Sequence, residues 1–321
     1  MPVSVVISQG QSANPIKRKL EEDLVGALLG ERGVEVTVVP HLYDLKTDGT
    51  GMLCLQGITG DMVVLSWLYP RAAFWTLDRN GIRGRMGATL LVSEAEGDDD
   101  AEEPPPSNDT RPLPNRAIYC IDLRAATDVQ PFVNEVRRIV AEASVKTVDL
   151  VSLAPMPAVN SAPAVAPARI DEEPARRWYP VIDYSRCTNC LECIDFCLFG
   201  VYGIDAADKI LVEQPDNCRK GCPACSRVCP ANAIIFPQHK SPAIAGSADG
   251  EAGGLKIDLS KLFGAPDALQ AAVLERDVEL VAVGRDAVGM GVGIPKRQTE
   301  PSSAAKDDLD RLIDQLDALD L

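Results

Sequence analysis

Residues 187–197 read CTNCLECIDFC, four cysteines in eleven positions, and residues 218–230 read CRKGCPACSRVCP, four more in thirteen. Eight of the chain's ten cysteines thus fall within 43 residues, in two near-copies of one pattern. The N-terminal stretch MPVSVVISQGQSANPIKRKL lacks the basic-then-apolar order of a secretory leader, and no uninterrupted apolar run approaches the length of a membrane span. A cytoplasmic location without a membrane span is expected. Thiols stay reduced there, so the clustering points to metal ligation rather than to disulfides.

The spacing has a chemical reason. Cysteines at i, i+3 and i+6, here Cys187, Cys190 and Cys193, can wrap three corners of a cubane iron–sulfur cluster from one tight loop. The fourth ligand then comes from a different segment. Cys222, Cys225 and Cys229-Pro230 fit the end of the same pattern in the second run. Structural zinc instead uses two C-x2-C pairs on separate arms, and three thiols within seven residues crowd a site that needs two from each. Spacing therefore favours iron–sulfur over zinc.

Overlaying the two runs aligns PVIDYSRCTNCLECIDFCLFGVYGID (180–205) with ILVEQPDNCRKGCPACSRVCPANAIIF (210–236). The offset is about 32 residues, an internal repeat. Each half starts on a short apolar strand, crosses a cysteine loop, enters a short helix and leaves on another strand. On these residues, 178–238 resemble a bacterial-type ferredoxin with two 4Fe–4S clusters, a likeness covering about a fifth of the chain. The resemblance implies an α+β ferredoxin-like (βαβ)2 domain with crossed ligation. Cys187, Cys190, Cys193 and Cys229 would hold one cluster, and Cys218, Cys222, Cys225 and Cys197 the other.

Two positions depart from that family's pattern. Three residues rather than two separate Cys218 from Cys222, and Gly221 can absorb the extra one because glycine tolerates backbone angles closed to other residues. Leu198 stands where the family has proline, a position that shapes the chain's exit without ligating. Aliphatic and aromatic residues between the ligands should exclude water. Residues 178–238 carry seven acids against five Lys/Arg, and adding an electron to a dry anionic site is costly, so a low potential is expected.

The first 153 residues read as an α/β domain with a mainly parallel sheet. Strand-like runs at 3–8, 34–39, 62–68, 88–92 and 117–123 alternate with helical patterns at 16–33, 71–81 and 128–144, and 147–153 would add a last strand. Residues 94–115 form an acidic insertion expected to be disordered, opening with seven acids in EAEGDDDAEE. The Pro/Ala-rich stretch 154–177 reads as an extended linker and 239–257 as a flexible joint. Residues 258–321 read as a helical acidic tail that ends in an amphipathic stripe through Leu309, Leu312, Ile313, Leu316 and Leu319.

Other signals are sparse. The loop ISQGQSANP (7–15) makes Ser8, Gly10 and Ser12 candidates for a phosphate or flavin contact, but neither a G-x-G-x-x-G nor a P-loop pattern is present. GIRGRMG (81–87) reads as a loop, and His41 and His239 have no partner at ligand spacing. Cys54 and Cys120 lie in apolar runs and read as core. A net charge of −15 with no basic block argues against nucleic acid and suits a redox partner with a basic docking face. The expected function is single-electron transfer by two 4Fe–4S clusters, in an electron-transfer protein or subunit more than a stand-alone catalyst. The rivals are an oxidoreductase whose first domain binds flavin or nucleotide and feeds its own clusters, and a docking adaptor with structural clusters.

Overall fold

The structure is a computed structural model that describes residues 2–92, 107–151, 166–172, 175–247, 273 and 276–278. Its centre is a six-stranded sheet of order β4-β5-β3-β1-β2-β6, with every neighbouring pair parallel. The strands are β1 (Val3–Ser8), β2 (Val34–Val39), β3 (Met62–Ser66), β4 (Arg85–Met86), β5 (Ala117–Asp122) and β6 (Ala168–Arg169). All five residues of β3 are buried, the pattern of a strand covered on both faces.

Helices α1 (Pro15–Leu29) and α4 (Val129–Val151) cover one face, where Leu24, Leu28, Phe132 and Val136 meet Val5, Ile7 and Val63. Asn14 starts α1 by accepting the Ile16 N–H at 2.9 Å, with Pro15 at the first helical position. Helices α2 (Thr50–Gln56) and α3 (Pro70–Arg79) cover the other face, where Met52, Leu55, Ala72, Ala73 and Leu77 meet Val6, Val64 and Ile118. The same core takes in Tyr179, Val181, Ile235 and Ala245 from the cysteine region, so that region packs over α3. Met1–Ala272 clusters as one compact unit and Val273–Leu321 as another.

Several expectations need correction. Residues 88–92 form no strand. The edge strand is instead β4, inside the stretch read as a loop, where Arg85 N–H reaches Arg116 O at 2.8 Å and Gly87 N–H reaches Ile118 O at 2.9 Å. Glycine permits the approach, since a Cβ on Gly87 would lie 2.3 Å from the Tyr119 ring. Residues 147–151 continue α4 and are not a strand, because between Pro131 in the helix's first turn and Pro155 there is no glycine or proline. Helix α2 carried no clear sequence signal.

The stretch read as a linker contributes β6, pairing Ala168 and Arg169 with Thr37 and Val38. Residues 107–115 of the expected disordered insertion are anchored by charge. Arg111 bridges Asp78 and Asp109, and Asn108 N–H donates to Ser185 O at 2.8 Å. In the expected flexible joint, α7 (Pro242–Ala245) buries Ile244 and Ala245. Residues 93–106, 152–165 and, apart from 273 and 276–278, the expected tail lie outside the described residues, the amphipathic stripe included.

Candidate metal centre

The cysteine region is built from two β-α-β halves: β7 (Val181–Ile182), α5 (Glu192–Phe196) and β8 (Tyr202–Ile204), then β9 (Ile210–Val212), α6 (Ala224–Val228) and β10 (Ile234–Ile235). β7 pairs antiparallel with β10 and β8 with β9, so the first and last strands lie side by side. This closure carries Cys229, which follows α6 and precedes β10, to the start of the first half.

Local turns set the first loop. Asp183 O accepts the Cys187 N–H at 2.9 Å. Asn189 and Leu191 take left-handed backbone angles (φ 57 and 64), which curl the chain between the thiols. The Asn189 side chain fixes that curl, donating to Asp208 O at 2.7 Å and accepting the Ile210 N–H at 2.9 Å. In the second run, Gly221 sits at φ +89 and takes up the additional residue between Cys218 and Cys222.

The eight thiols fall into two groups of four. Cys187, Cys190, Cys193 and Cys229 line one cavity whose other walls include Ile182, Leu191, Ile210 and Ile234. Burial pushes the Cys193 thiol up to about 12, and nearby Cys229, Cys187 and Cys190 push the same way. Burial also raises Cys187, against an N–H from Asn189 and with Cys229 and Cys190 adding to the rise. In the second group, burial and then Cys222 and Cys197 hold Cys218 well above the ordinary thiol range. Cys225 is raised by burial and by Cys218, Cys197 and Cys222. Each triplet is thus joined by one cysteine from the opposite half.

Anionic sulfurs gathered this way repel one another unless positive metal lies among them. Among the described residues, no three His, Cys, Asp or Glu side chains converge closely enough to hold a single metal ion. The donors of each quartet are all sulfur, and the first quartet lies among the apolar side chains of Ile182, Leu191, Ile210 and Ile234. That donor set fits an iron–sulfur group. Of the eight thiols only Cys190 is exposed, while the Cys229 sulfur accepts the Ala233 N–H at 3.3 Å and the Cys225 sulfur accepts the Tyr202 hydroxyl at 3.1 Å.

Contacts with the α/β sheet were not legible in sequence. Tyr43 and Tyr179 stack with ring centroids 4.2 Å apart, and the Tyr43 hydroxyl accepts the Tyr179 N–H at 2.6 Å while donating to its carbonyl. Arg71 of α3 donates from Nε to Asp183 Oδ2 and from Nη2 to Asn232 O, both at 2.5 Å. The available signal was a lone cation within the apolar run PRAAFW. Trp178, at the expected linker's end, donates from its indole to Cys222 O at 3.2 Å and stacks on Phe236.

The N-terminal candidates are engaged within the chain. The Ser8 hydroxyl accepts the Leu42 N–H, Gly10 N–H donates to Glu21 Oε1 at 2.8 Å, and Ser12 Oγ accepts the Asn14 N–H. A polar cavity of about 320 Å³ opens beside them at the carboxyl ends of β1 and β2, lined in part by Gln11, Arg18, His41, Asp44 and Arg176. Cys120 is core, as expected, and burial pushes its thiol to about 12.

Comparison with known proteins gives two relatives, both from Methanocaldococcus jannaschii. The uncharacterized ferredoxin MJ0251 is 52% identical over 66 residues, which cover 20% of this chain and 44% of the relative. The pyruvate synthase subunit PorD is 36% identical over 59 residues, covering 18% of this chain and 66% of that subunit. Part of this chain is a ferredoxin-like iron–sulfur domain. The likeness supports an iron–sulfur electron-transfer role for that part, and the match spans less than half the length of MJ0251. No family profile and no solved structure matches the chain. Among the described residues, no helix is long and apolar enough to cross a membrane.

Proposed function

We propose that residues 178–238 form a two-cluster (βαβ)2 domain and that the chain passes single electrons to or from a redox partner. Cys187, Cys190, Cys193 and Cys229 hold one 4Fe–4S cluster, and Cys218, Cys222, Cys225 and Cys197 hold the other. The observation that carries this reading is the division of the thiols into two quartets, each completed by a cysteine from the opposite half. When bound, each cluster takes up and gives back one electron.

The chain's own residues do the rest. Ile182, Leu191, Ile210 and Ile234 wall water away from the first quartet, which keeps reorganisation small as charge changes. The exposed Cys190 marks where that quartet comes nearest to solvent and so to a docked partner. PorD is a subunit of pyruvate synthase, which supports a multi-subunit enzyme as the partner here too. The net charge of −15 would match a basic docking face on it. Reduced thiols in the cytoplasm complete the proposal.

Anaerobic purification followed by iron and sulfide analysis tests it. About eight irons and eight sulfides per chain are expected, with a broad brown absorption shoulder. Stoichiometric zinc without sulfide would sink the reading. A second reading, in which the α/β domain also binds flavin or nucleotide, has the polar cavity at the ends of β1 and β2 in its favour. A flavin absorption band in the same preparation would support it.

A further inference from the structure

Arg71 belongs to α3 of the α/β domain, 112 residues before its partner Asp183, and its side chain is 8% exposed. It grips both ends of the cysteine region's closure. Asp183, which it meets through Nε, supplies the carbonyl that accepts the Cys187 N–H. Asn232, which it meets through Nη2, donates its own N–H to Cys229 O at 3.3 Å. One guanidinium thus ties together the two segments that bring Cys187 and Cys229 into one quartet.

The charge balance matters as much as the grip. The Asp183 carboxylate is shared between Arg71 and Arg186, the latter 3.7 Å away. Arg71 Nη1 has no hydrogen-bond partner among the described residues, which leaves its charge only partly neutralised by contacts. The Cys229 sulfur lies within electrostatic range of the guanidinium. A buried positive charge there favours whichever state of the quartet carries the additional electron.

We propose that Arg71 is a positioning residue through which the α/β domain raises the reduction potential of the cluster on Cys187, Cys190, Cys193 and Cys229. This rests on the two-cluster reading above. Removing one unit charge at such a site should shift the reduction equilibrium about tenfold, or ~59 mV for one electron.

The test uses the full chain, purified anaerobically as wild type, Arg71→Lys, Arg71→Met and Asp183→Asn. Iron and sulfide are counted first, and a redox titration followed by electron paramagnetic resonance then resolves the one-electron steps. Arg71→Met should move one step to more negative potential by about tenfold in equilibrium and leave the other in place. Arg71→Lys, which keeps the charge, should shift it far less, and Asp183→Asn should shift it the opposite way. Equal shifts in Arg71→Lys and Arg71→Met, or no shift in Arg71→Met, would overturn the proposal. If Arg71→Met does not load clusters, Asp183→Asn decides: a positive shift supports the role and an unmoved potential ends it. A wild type devoid of iron and sulfide would instead refute the two-cluster reading, and this inference with it.

Discussion

The Tyr202 hydroxyl lies 3.1 Å from the sulfur of Cys225, and both side chains are buried. A donor aimed at a ligand sulfur stabilises it most when the sulfur is most electron-rich, which is in the reduced state. Tyr202→Phe should therefore lower the potential of the cluster proposed for the second quartet, by about 1 kcal/mol or less in driving force and so a few tens of millivolts. Iron content should stay at the wild-type level. A redox titration checks the sign, and an unchanged or raised potential would remove Tyr202 from the tuning shell.

Tyr43→Phe should destabilise the whole first unit. The substitution keeps the ring stack but strips the Tyr179 N–H and carbonyl of their shared partner in a buried setting. A cost of about 2–4 kcal/mol follows for two orphaned backbone groups. Because Tyr179 sits in the same core as Val6 and Leu77, cluster absorbance and far-ultraviolet circular dichroism should fall together in urea. Two separate transitions would show that the two parts fold independently.

Asp44 should make stability fall in acid. Burial pushes its carboxyl up, but contacts from His41, the Arg177 N–H and Gln11 outweigh that and hold it below the usual range. A depressed carboxylate stabilises the fold above its unfolded pKa of about 3.9, and that contribution drains away as pH falls through the folded value. Asp44→Asn should thus be less stable than wild type at pH 7, with the gap closing below about pH 4. Urea midpoints across that range measure it.

Gly221→Ala should loosen the second quartet selectively. Among the described residues no atom lies within 4 Å of the added methyl, so the penalty comes from φ +89. That strain is about 1 kcal/mol, enough to speed iron loss from the cluster proposed for the second quartet without unfolding the chain. Chelator challenge should release about half the iron faster than in wild type. Uniform release of all iron would contradict a local effect.

Much of this architecture could be read before any coordinates. Repeating apolar runs with β-branched residues gave β1, β2, β3 and β5, and cysteine spacing marked the metal-binding region. What escaped was set by long-range contact. ATLLV is apolar enough to suggest a strand, yet Leu90 is 74% exposed there, while Arg85–Met86 forms the edge because flanking glycines let backbone meet backbone. Arg71 and Asp183, or Tyr43 and Tyr179, lie more than 100 residues apart and have no periodic signature. Residues 107–115 read as solvent-loving, and it is their charge that ties them down through Arg111.

The two outermost strands, Arg85–Met86 and Ala168–Arg169, are each a single residue pair long. A foreign strand seeking to zip onto either border would find two exposed residues of ladder, with an arginine at each end of the sheet. Two residues of ladder are too few to hold a second copy of the chain border to border, so these edges offer little template for end-on β-stacking.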